Sequence, residues 1–324
     1  MSCKALIAAL AALIAVAGYS MPAGATEPYP TRAIRFIVPY SAGGGTDVVA
    51  RVYAAEISKT LGQNVFVDNR PGGEGIVGMS ALTSASPDGY TIGLVLEATM
   101  AINPALYKAV QYNPVKDFTP ISLLSKAPYV IVVNPESGIK TFADLVERAK
   151  QNPGGVDYAC GASAAYLAAE LVQRKVGITL TRIPYKGSGP AIADLLANRV
   201  SVMISSPVSV LPLIKNGKLI PLAVTGMERA GSLPDVPTIQ ELGHGAVDVV
   251  GWYGAAAPAG TPPEIIERIA TAIAQAAKTD AVRHALAEVG VDATSSSPAE
   301  FKAFIAEEFN RWGEVIKQVG MEAE

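Results

Sequence analysis

Apolar residues in this chain follow two alternating patterns, short continuous runs and longer stretches with helical spacing. Residues 33–40 (AIRFIVPY) form such a run and predict a strand. In residues 46–61 the apolar positions recur at the spacing of one helix face, and residues 64–67 follow as a second strand. Strands that alternate with amphipathic helices are typical of an α/β fold with mostly parallel sheets.

The same order of elements returns in the second half of the chain. Residues 156–160 predict a strand, residues 164–176 a helix and residues 178–183 another strand. Each of the two helices is followed by a glycine that ends it, Gly62 in the first unit and Gly177 in the second. Two such units favour two lobes of like architecture, and ligands of these folds bind outside the carboxyl ends of the strands. We therefore expect one cleft between two facing lobes.

The first 25 residues have the features of a secretory signal peptide. Lys4 is the only charge before Glu27, and an apolar run spans residues 5–17. The small residues of Ala23-Gly24-Ala25 suit a cleavage site. The run is shorter than the ~20 apolar residues that a membrane-spanning helix needs. We expect residues 1–25 to be removed and the mature, periplasmic chain to begin near Thr26.

Size and charge narrow the class of protein further. About 300 residues remain after cleavage, more than a single hydrophobic core supports. No later stretch resembles a membrane span, and the formal net charge is −3 without any run of Lys or Arg. A chain with this net charge and no basic run offers no positively charged patch for nucleic acid or an anionic membrane. We expect a soluble, two-lobed monomer.

Few residues are available for metal or redox chemistry. Cleavage removes Cys3, so Cys160 is the only thiol left, and the only histidines are His244 and His284. A single cysteine forms no internal disulfide, and no cluster of His and Cys suits zinc. We therefore expect neither a metal nor a cofactor.

A glycine-rich loop, residues 39–47 (PYSAGGGTD), joins the first predicted strand to the first helix. The unpaired N–H groups and the dipole of a helix N-terminus favour an anion, and glycines allow its close approach. One alternative is a plain turn in which Thr46 or Asp47 caps the helix. A dinucleotide fingerprint is the other, but Val48 stands where that motif needs Gly or Ala. We interpret the loop as half of an anion site.

The corresponding loop of the second half is residues 159–163 (ACGAS). Ser163 would cap the helix and donate to the other side of the anion. A periplasmic serine hydrolase with Ser163 as nucleophile is the alternative, but the G-x-S-x-G elbow fails because Ala165 replaces its last glycine. Cys160 next to this helix is interpreted as a small filler rather than a reactive thiol.

Two charged residues near predicted strand ends add to the candidate site. Lys186 lies in residues 185–189 (YKGSG) and would counter an anionic ligand, or else be a solvated lysine. Glu97 ends the apolar run of residues 94–99 (LVLEAT). It would suit a ligand that carries an amine or a pyridinium as well as a carboxylate, the alternative being a strand end that faces the surface.

Several short motifs, in order along the mature chain, resemble the Bug-type extracytoplasmic solute receptors of tripartite tricarboxylate transporters. They cover essentially the whole mature chain, and their ordered sum is specific although each is weak. The motifs are residues 39–47 (PYSAGGGTD), 69–73 (NRPGG), 87–91 (PDGYT), 184–187 (PYKG), 222–226 (LAVTG), 234–238 (PDVPT), Trp252, Gly254 and 258–262 (PAGTP).

The resemblance implies a two-lobed periplasmic-binding-protein fold of type II, a Venus flytrap. Its lobes would be residues 26–125 with 251–324, and residues 126–250, each a mostly parallel sheet flanked by helices. Such a receptor captures a small carboxylate, amino-acid or aromatic-acid ligand in the cleft for membrane transporter subunits and performs no chemistry. A ligand-sensing module for a membrane signalling partner is a further alternative.

The family's ligand-binding positions map onto both loops and, with Glu97 added on its own grounds, give the candidate site. The carried-over residues are Tyr40, Ser41, Ala42, Gly43, Gly44 and Asp47 in one lobe and Cys160, Ser163, Tyr185, Lys186 and Gly187 in the other. This sequence departs from the family pattern at Tyr166, where a His is frequent, and at Ser205 and Ser206, where an acidic residue is common. These departures leave the identity of the ligand open.

Overall fold

Strands and helices alternate along most of the part of the chain that the computed structural model describes, residues 29–318 and residue 320. The strands are β1 (Ile34–Val38), β2 (Val65–Asn69), β3 (Thr91–Leu96), β4 (Phe118–Pro128), β5 (Val130–Val133), β6 (Asp157–Cys160), β7 (Thr181–Pro184), β8 (Val202–Ser205), β9 (Ile220–Val224), β10 (Val250–Pro258) and β11 (Asp292–Ala293). The α-helices are α1 (Gly45–Leu61), α2 (Ile76–Thr83), α3 (Asn103–Leu106), α4 (Phe142–Gln151), α5 (Ser163–Val176), α6 (Ser188–Leu196), α7 (Pro207–Lys215), α8 (Pro263–Ala276), α9 (Asp280–Glu288) and α10 (Pro298–Gln318). A π-helical turn, Ala98–Ile102, precedes α3. The predicted signal peptide lies outside the described residues.

The strands form two sheets. The first has six strands in the order β11-β4-β10-β3-β1-β2, and the second has five in the order β7-β6-β8-β5-β9. In the first sheet β1 is parallel to β2 and β3, whereas β10 is antiparallel to β3 and β4. In the second sheet β6 is parallel to β7 and β8, whereas β5 is antiparallel to β8 and β9.

The predicted α/β class is confirmed, but the expectation of mostly parallel sheets is wrong, because both sheets are mixed. Parallel neighbours need a long crossover connection, usually a helix, as in the unit β1-α1-β2. The chain instead passes directly from β4 of the first sheet to β5 of the second, and it returns to the first sheet as β10. Both β5 and β10 run antiparallel to their neighbours. The boundaries at residues 125/126 and 250/251 fall close to these passages and stay a prediction.

The repeated strand–helix–strand unit of the sequence is confirmed. It appears as β1-α1-β2 in the first sheet and as β6-α5-β7 in the second, each with parallel strands. Gly62 ends α1 at φ 70° and donates its N–H to the Ser58 carbonyl at 3.0 Å. Gly177 ends α5 in the same way, at φ 71° with a 2.8 Å bond to the Gln173 carbonyl. Glycine suits both positions because a left-handed φ carries no Cβ penalty there.

Each sheet has its own apolar core. Val130, Met203 and Leu211 belong to a buried cluster of the second sheet and its helices. Trp252 of β10 belongs to a cluster of the first sheet, where it packs edge-to-face against Phe301 of α10 at 5.7 Å between ring centroids. Helix α10 therefore packs on the first sheet. Despite the two cores, the described residues from Arg32 onward form one compact unit, which is the unit that carries the site described below.

Candidate functional site

A cleft lies where loops and helix starts of the two sheets meet. Its inner cavity has a volume of about 100 Å³ and its outer cavity about 500 Å³. Both are lined by Tyr40 and Ser41 from the loop after β1, and by Gly161, Lys186 and Gly187 from loops of the second sheet. The two cavities are therefore neighbours with walls from both lobes, at the carboxyl ends of β1, β6 and β7, as the sequence predicts.

Within the described part of the chain, four helices begin at the inner cavity without a capping side chain. Their N-cap residues line that cavity and make no side-chain cap hydrogen bond; they are Gly44 before α1, Ala162 before α5, Gly187 before α6 and Ser206 before α7. Elsewhere α4 begins with a capping box at Thr141 and Thr279 caps α9, whereas α2, α3 and α8 also begin without a side-chain cap. First-turn N–H groups without intrahelical partners suit an anion, because the helix dipole adds a positive potential. The inner cavity is therefore built to hold negative charge.

The first-lobe loop is shaped by a hydrogen-bond cluster behind it. Tyr40, Ser41, Ala42 and Gly44 line the inner cavity, whereas Gly43 makes the turn at φ 82° and donates its N–H to Asp47 Oδ2 at 3.0 Å. Because glycine alone adopts such a φ freely, the turn depends on it.

Asp47 holds this loop in place through hydrogen bonds. It is 4% exposed and also accepts bonds from Arg51 Nε at 2.9 Å and Asn69 Nδ2 at 3.0 Å. Burial alone would raise the pKa of Asp47, but the bonds from Arg51, the Gly43 N–H and Asn69 together lower it. Asn69 also donates to the Tyr40 carbonyl at 3.0 Å. Asp47 does not line the cavity, so its ligand contact stays a prediction while its loop contacts are present.

Three of the predicted second-lobe residues have protein partners and do not line the cavity. The Cys160 thiol donates to the Ala162 carbonyl at 3.3 Å, and burial raises its pKa to about 11, so it remains protonated. The Ser163 hydroxyl lies 2.5 Å from Asn103 Oδ1 in the other lobe. The Tyr185 hydroxyl donates to Asp194 at 2.8 Å. By contrast, Lys186 and Gly187 line both cavities, and Lys186 is exposed.

Glu97 lines the inner cavity from the end of β3 but is only 2% exposed. Its Oε1 accepts a bond from the Tyr129 hydroxyl at 2.5 Å, and its Oε2 accepts one from the Trp252 N–H at 2.9 Å. Burial raises the pKa of Glu97 to about 7, although both hydrogen bonds favour the ionised form. The interpretation as a strand end that faces the surface is therefore wrong, and a cationic ligand group as its partner stays a prediction.

The predicted site leaves out a group of hydroxyl-bearing side chains in the inner cavity, of which the sequence analysis noted only Ser205 and Ser206, as departures from the family pattern. Ser205, Ser206 and Ser209 line it around the start of α7, and Tyr129 and Tyr253 line it from the strands that connect the sheets. The Tyr253 hydroxyl donates to Ser206 Oγ at 3.3 Å, across the cleft. Ser205 and Ser206 could have been found by the rule used for the other loops, since they end a strand before a helix. Nothing local in the sequence marks the two tyrosines.

The described residues hold no cluster suited to a metal and no membrane span. Within residues 29–318 and 320, no three His, Cys, Asp or Glu side chains are grouped closely enough to hold a metal ion. In the same part of the chain, no helix is both long and apolar enough to cross a membrane.

Two α/β lobes, joined by connecting strands and facing each other across a cleft lined with helix N-termini, define a solute-binding protein of the Venus-flytrap type. Residues 49–321 match the sequence profile of the tripartite tricarboxylate transporter family receptor. The chain therefore belongs to this receptor family and is a solute-binding receptor, which confirms the resemblance seen in its motifs.

Similar proteins support the same assignment over nearly the full length. The chain is 37% identical to protein BugT of Bordetella pertussis over 323 residues, which is 99% of each chain. The solved periplasmic binding protein BugD superimposes with a TM-score of 0.87 at 31% identity, covering 91% of this chain and 100% of BugD. An R. palustris protein solved with adipate superimposes with a TM-score of 0.88 at 33% identity, covering 91% of this chain and 100% of that one.

Proposed function

We propose that this receptor works in the periplasm, where it closes on a small dicarboxylate, carries it to membrane subunits of a tripartite transporter and leaves it chemically unchanged. The observation that carries the proposal is the convergence of four uncapped helix N-termini, from both lobes, on one cavity. Each start offers N–H donors to an anion. Since the starts come from opposite walls, a ligand with an anionic group at each end satisfies both sets of donors.

The cavity also contains a cation at its mouth. Lys186 lines both the inner and the outer cavity, and its ammonium group has no carboxylate within 4 Å among the described residues. The bound adipate of the R. palustris relative is a dicarboxylate, in line with this chemistry. A receptor role without catalysis agrees with Ser163, whose hydroxyl is bonded to Asn103. A serine hydrolase would also need a histidine as its base. Of the two histidines in the chain, His244 packs against Phe142 and His284 lies on α9.

The proposal includes a monomer that has lost residues 1–25. The exposed large apolar side chains, such as Phe66, Val115 and Met227, come from different segments of the chain. Sedimentation of the protein purified from the periplasm of an expression host should give the mass of one chain. Its N-terminal sequence should begin near Thr26.

A thermal-shift screen tests the ligand class. A ligand that binds only the folded state raises the melting temperature. At a ligand concentration of a hundred times the Kd, binding adds about 2.7 kcal/mol to the free energy of unfolding. We expect several degrees of stabilisation by adipate or another short dicarboxylate at millimolar concentration. The matched controls are adipamide, which has the same length without charge, and the corresponding diamine. Equal stabilisation by adipamide, or none by any dicarboxylate, would overturn the proposal.

A further inference from the structure

Glu97 is an acidic residue in a cavity whose helix N-termini favour an anionic ligand. The inner cavity is lined by helix starts and by hydroxyl-bearing residues, yet the acidic residue Glu97 lines it as well. Two anions that meet in a space of about 100 Å³ repel each other strongly, because little water is present to screen them. Either Glu97 faces a cationic part of the ligand or it is uncharged when the ligand is bound.

The surroundings of Glu97 provide no cation for its ionised form. Among the described residues no Lys, Arg or His nitrogen lies within 4 Å of its carboxylate. The titratable groups that face it are Tyr40 from the loop after β1, Tyr129 from the β4–β5 junction, Tyr253 of β10 and Glu308 of α10. The only other charged side chains that line the cleft are, within the described residues, Lys186 and Glu74.

The neutral form of Glu97, by contrast, can donate a hydrogen bond to an anionic ligand. Tyr129 and the Trp252 N–H each donate to one of its oxygens, and these two donors hold the carboxyl group in place. A carboxylic acid held there offers an O–H donor to a ligand oxygen, and an O–H···O⁻ bond is stronger than a neutral one. The burial that raises the pKa of Glu97 to about 7 makes protonation accessible near neutral pH.

We propose that Glu97 carries a proton whenever the cleft holds its ligand and donates it in a hydrogen bond to a ligand carboxylate. The proton comes from solvent on binding and returns to solvent on release, so one proton accompanies each bound anion. This inference rests on the proposed function, and it makes Glu97 a specificity-determining residue that favours carboxylates over ligands with a cationic group.

Adipate binding to the whole periplasmic protein, measured by titration calorimetry between pH 6.5 and 8.5, tests the inference. Ordinary carboxyl groups remain ionised over this range, so the charge of adipate changes little. We expect the Kd to rise by roughly tenfold per pH unit above pH 7, as linkage to one proton requires. Titrations in buffers of different ionisation enthalpy should show the uptake of close to one proton at pH 8.

Variants assign that proton to Glu97. Glu97→Gln, a permanently neutral side chain of the same size, should flatten the pH profile and bind adipate at pH 8.5 at least as tightly as the parent. Tyr129→Phe removes a donor that favours the ionised form, so the affinity should begin to fall at a higher pH. Glu136→Gln, at an exposed site away from the cleft, should keep the parent's profile.

The outcomes separate this inference from the proposed function. If adipate binds with the same Kd at pH 6.5 and 8.5 and without proton uptake, the receptor function stands and the role of Glu97 is wrong. A parent that prefers an amino acid over adipate, with that preference lost in Glu97→Gln, would show an ionised Glu97 facing a cationic group and would also overturn the inference. If neither adipate nor any other dicarboxylate binds at pH 6.5, both proposals fall together.

Discussion

Ser163 and Asn103 lie 2.5 Å apart, Oγ to Oδ1, and join α5, which follows β6 of the second sheet, to α3, which comes after β3 of the first. Both side chains are buried, at 1% and 0% exposure. Asn103 also donates from its amide nitrogen to the Glu74 carbonyl at 2.8 Å. The Tyr40 hydroxyl donates to the same carbonyl at 3.1 Å. The two lobes are thus connected beside the cavity by a hydrogen bond between side chains.

Removing this bond should weaken ligand binding, because the bond holds the two lobes together beside the cavity. In Ser163→Ala the buried Asn103 oxygen loses its partner, which costs about 1–2 kcal/mol, or roughly five- to thirtyfold in affinity. Titration calorimetry with the best dicarboxylate measures the loss. In an Asn103→Ala background the effect of Ser163→Ala should nearly vanish, because the two side chains act as one pair. Additive losses would mean instead that Ser163 contacts the ligand directly.

Gly45 at the start of α1 lies against Val208 and Ser209 of α7. A Cβ at this position would be 3.0 Å from Val208 Cβ and 3.1 Å from Ser209 Oγ. Gly45→Ala should therefore hold the lobes apart and lower ligand affinity by about tenfold, roughly 1.4 kcal/mol, while the melting temperature of the ligand-free protein changes little. Gly313→Ala on α10 is the matched control, since nothing lies within 4 Å of the added Cβ at that position and it does not line the cavity. Equal losses in both variants would contradict the closure argument.

Lys186 is expected to contribute charge to the cleft. In Lys186→Gln the affinity for a dicarboxylate should fall by about 1.5 kcal/mol, roughly tenfold, because a charge-assisted contact is lost. The same variant should also show a weaker dependence of affinity on salt than the parent, since screening acts on exposed charges. Lys175→Gln, an exposed lysine of the same lobe outside the cavity, serves as the control. An unchanged affinity in Lys186→Gln would place its ammonium group in solvent.

Glu97 should make the ligand-free protein less stable as the pH rises. Its pKa is raised by burial from 4.5 to about 7, so the folded state binds a proton more tightly than the unfolded state. This contribution is fully present below pH 4.5 and is lost as the pH rises through 7, and the difference amounts to roughly 3 kcal/mol. Glu97→Gln should therefore melt several degrees above the parent at pH 8 and lose this advantage near pH 4.5. Melting curves across that range, with Glu136→Gln as the control, would reveal a pH-independent difference if the argument is wrong.

The sequence alone predicted the elements that build the cleft, because strand-to-helix alternation and glycine stops are local patterns. Gly62 and Gly177 end helices as expected, and the loop that contains Tyr40 and Ser41 lies at the cavity. Motif order along the chain was enough to identify the receptor family. Mixed sheets were not predictable in the same way, since strand direction depends on where the chain passes between the lobes.

Only the tertiary structure decided which side chains of those loops face the cavity. Asp47 lies in the predicted loop, but it points to Arg51 and Asn69. Ser163 is bonded to a residue 60 positions earlier in the chain, and Glu97 accepts a bond from a residue 155 positions later. Such contacts depend on how distant segments pack together, and burial by those segments is also what raises the pKa of Glu97. Local patterns place a loop at the cleft, whereas long-range packing determines the partners and the charge of its side chains.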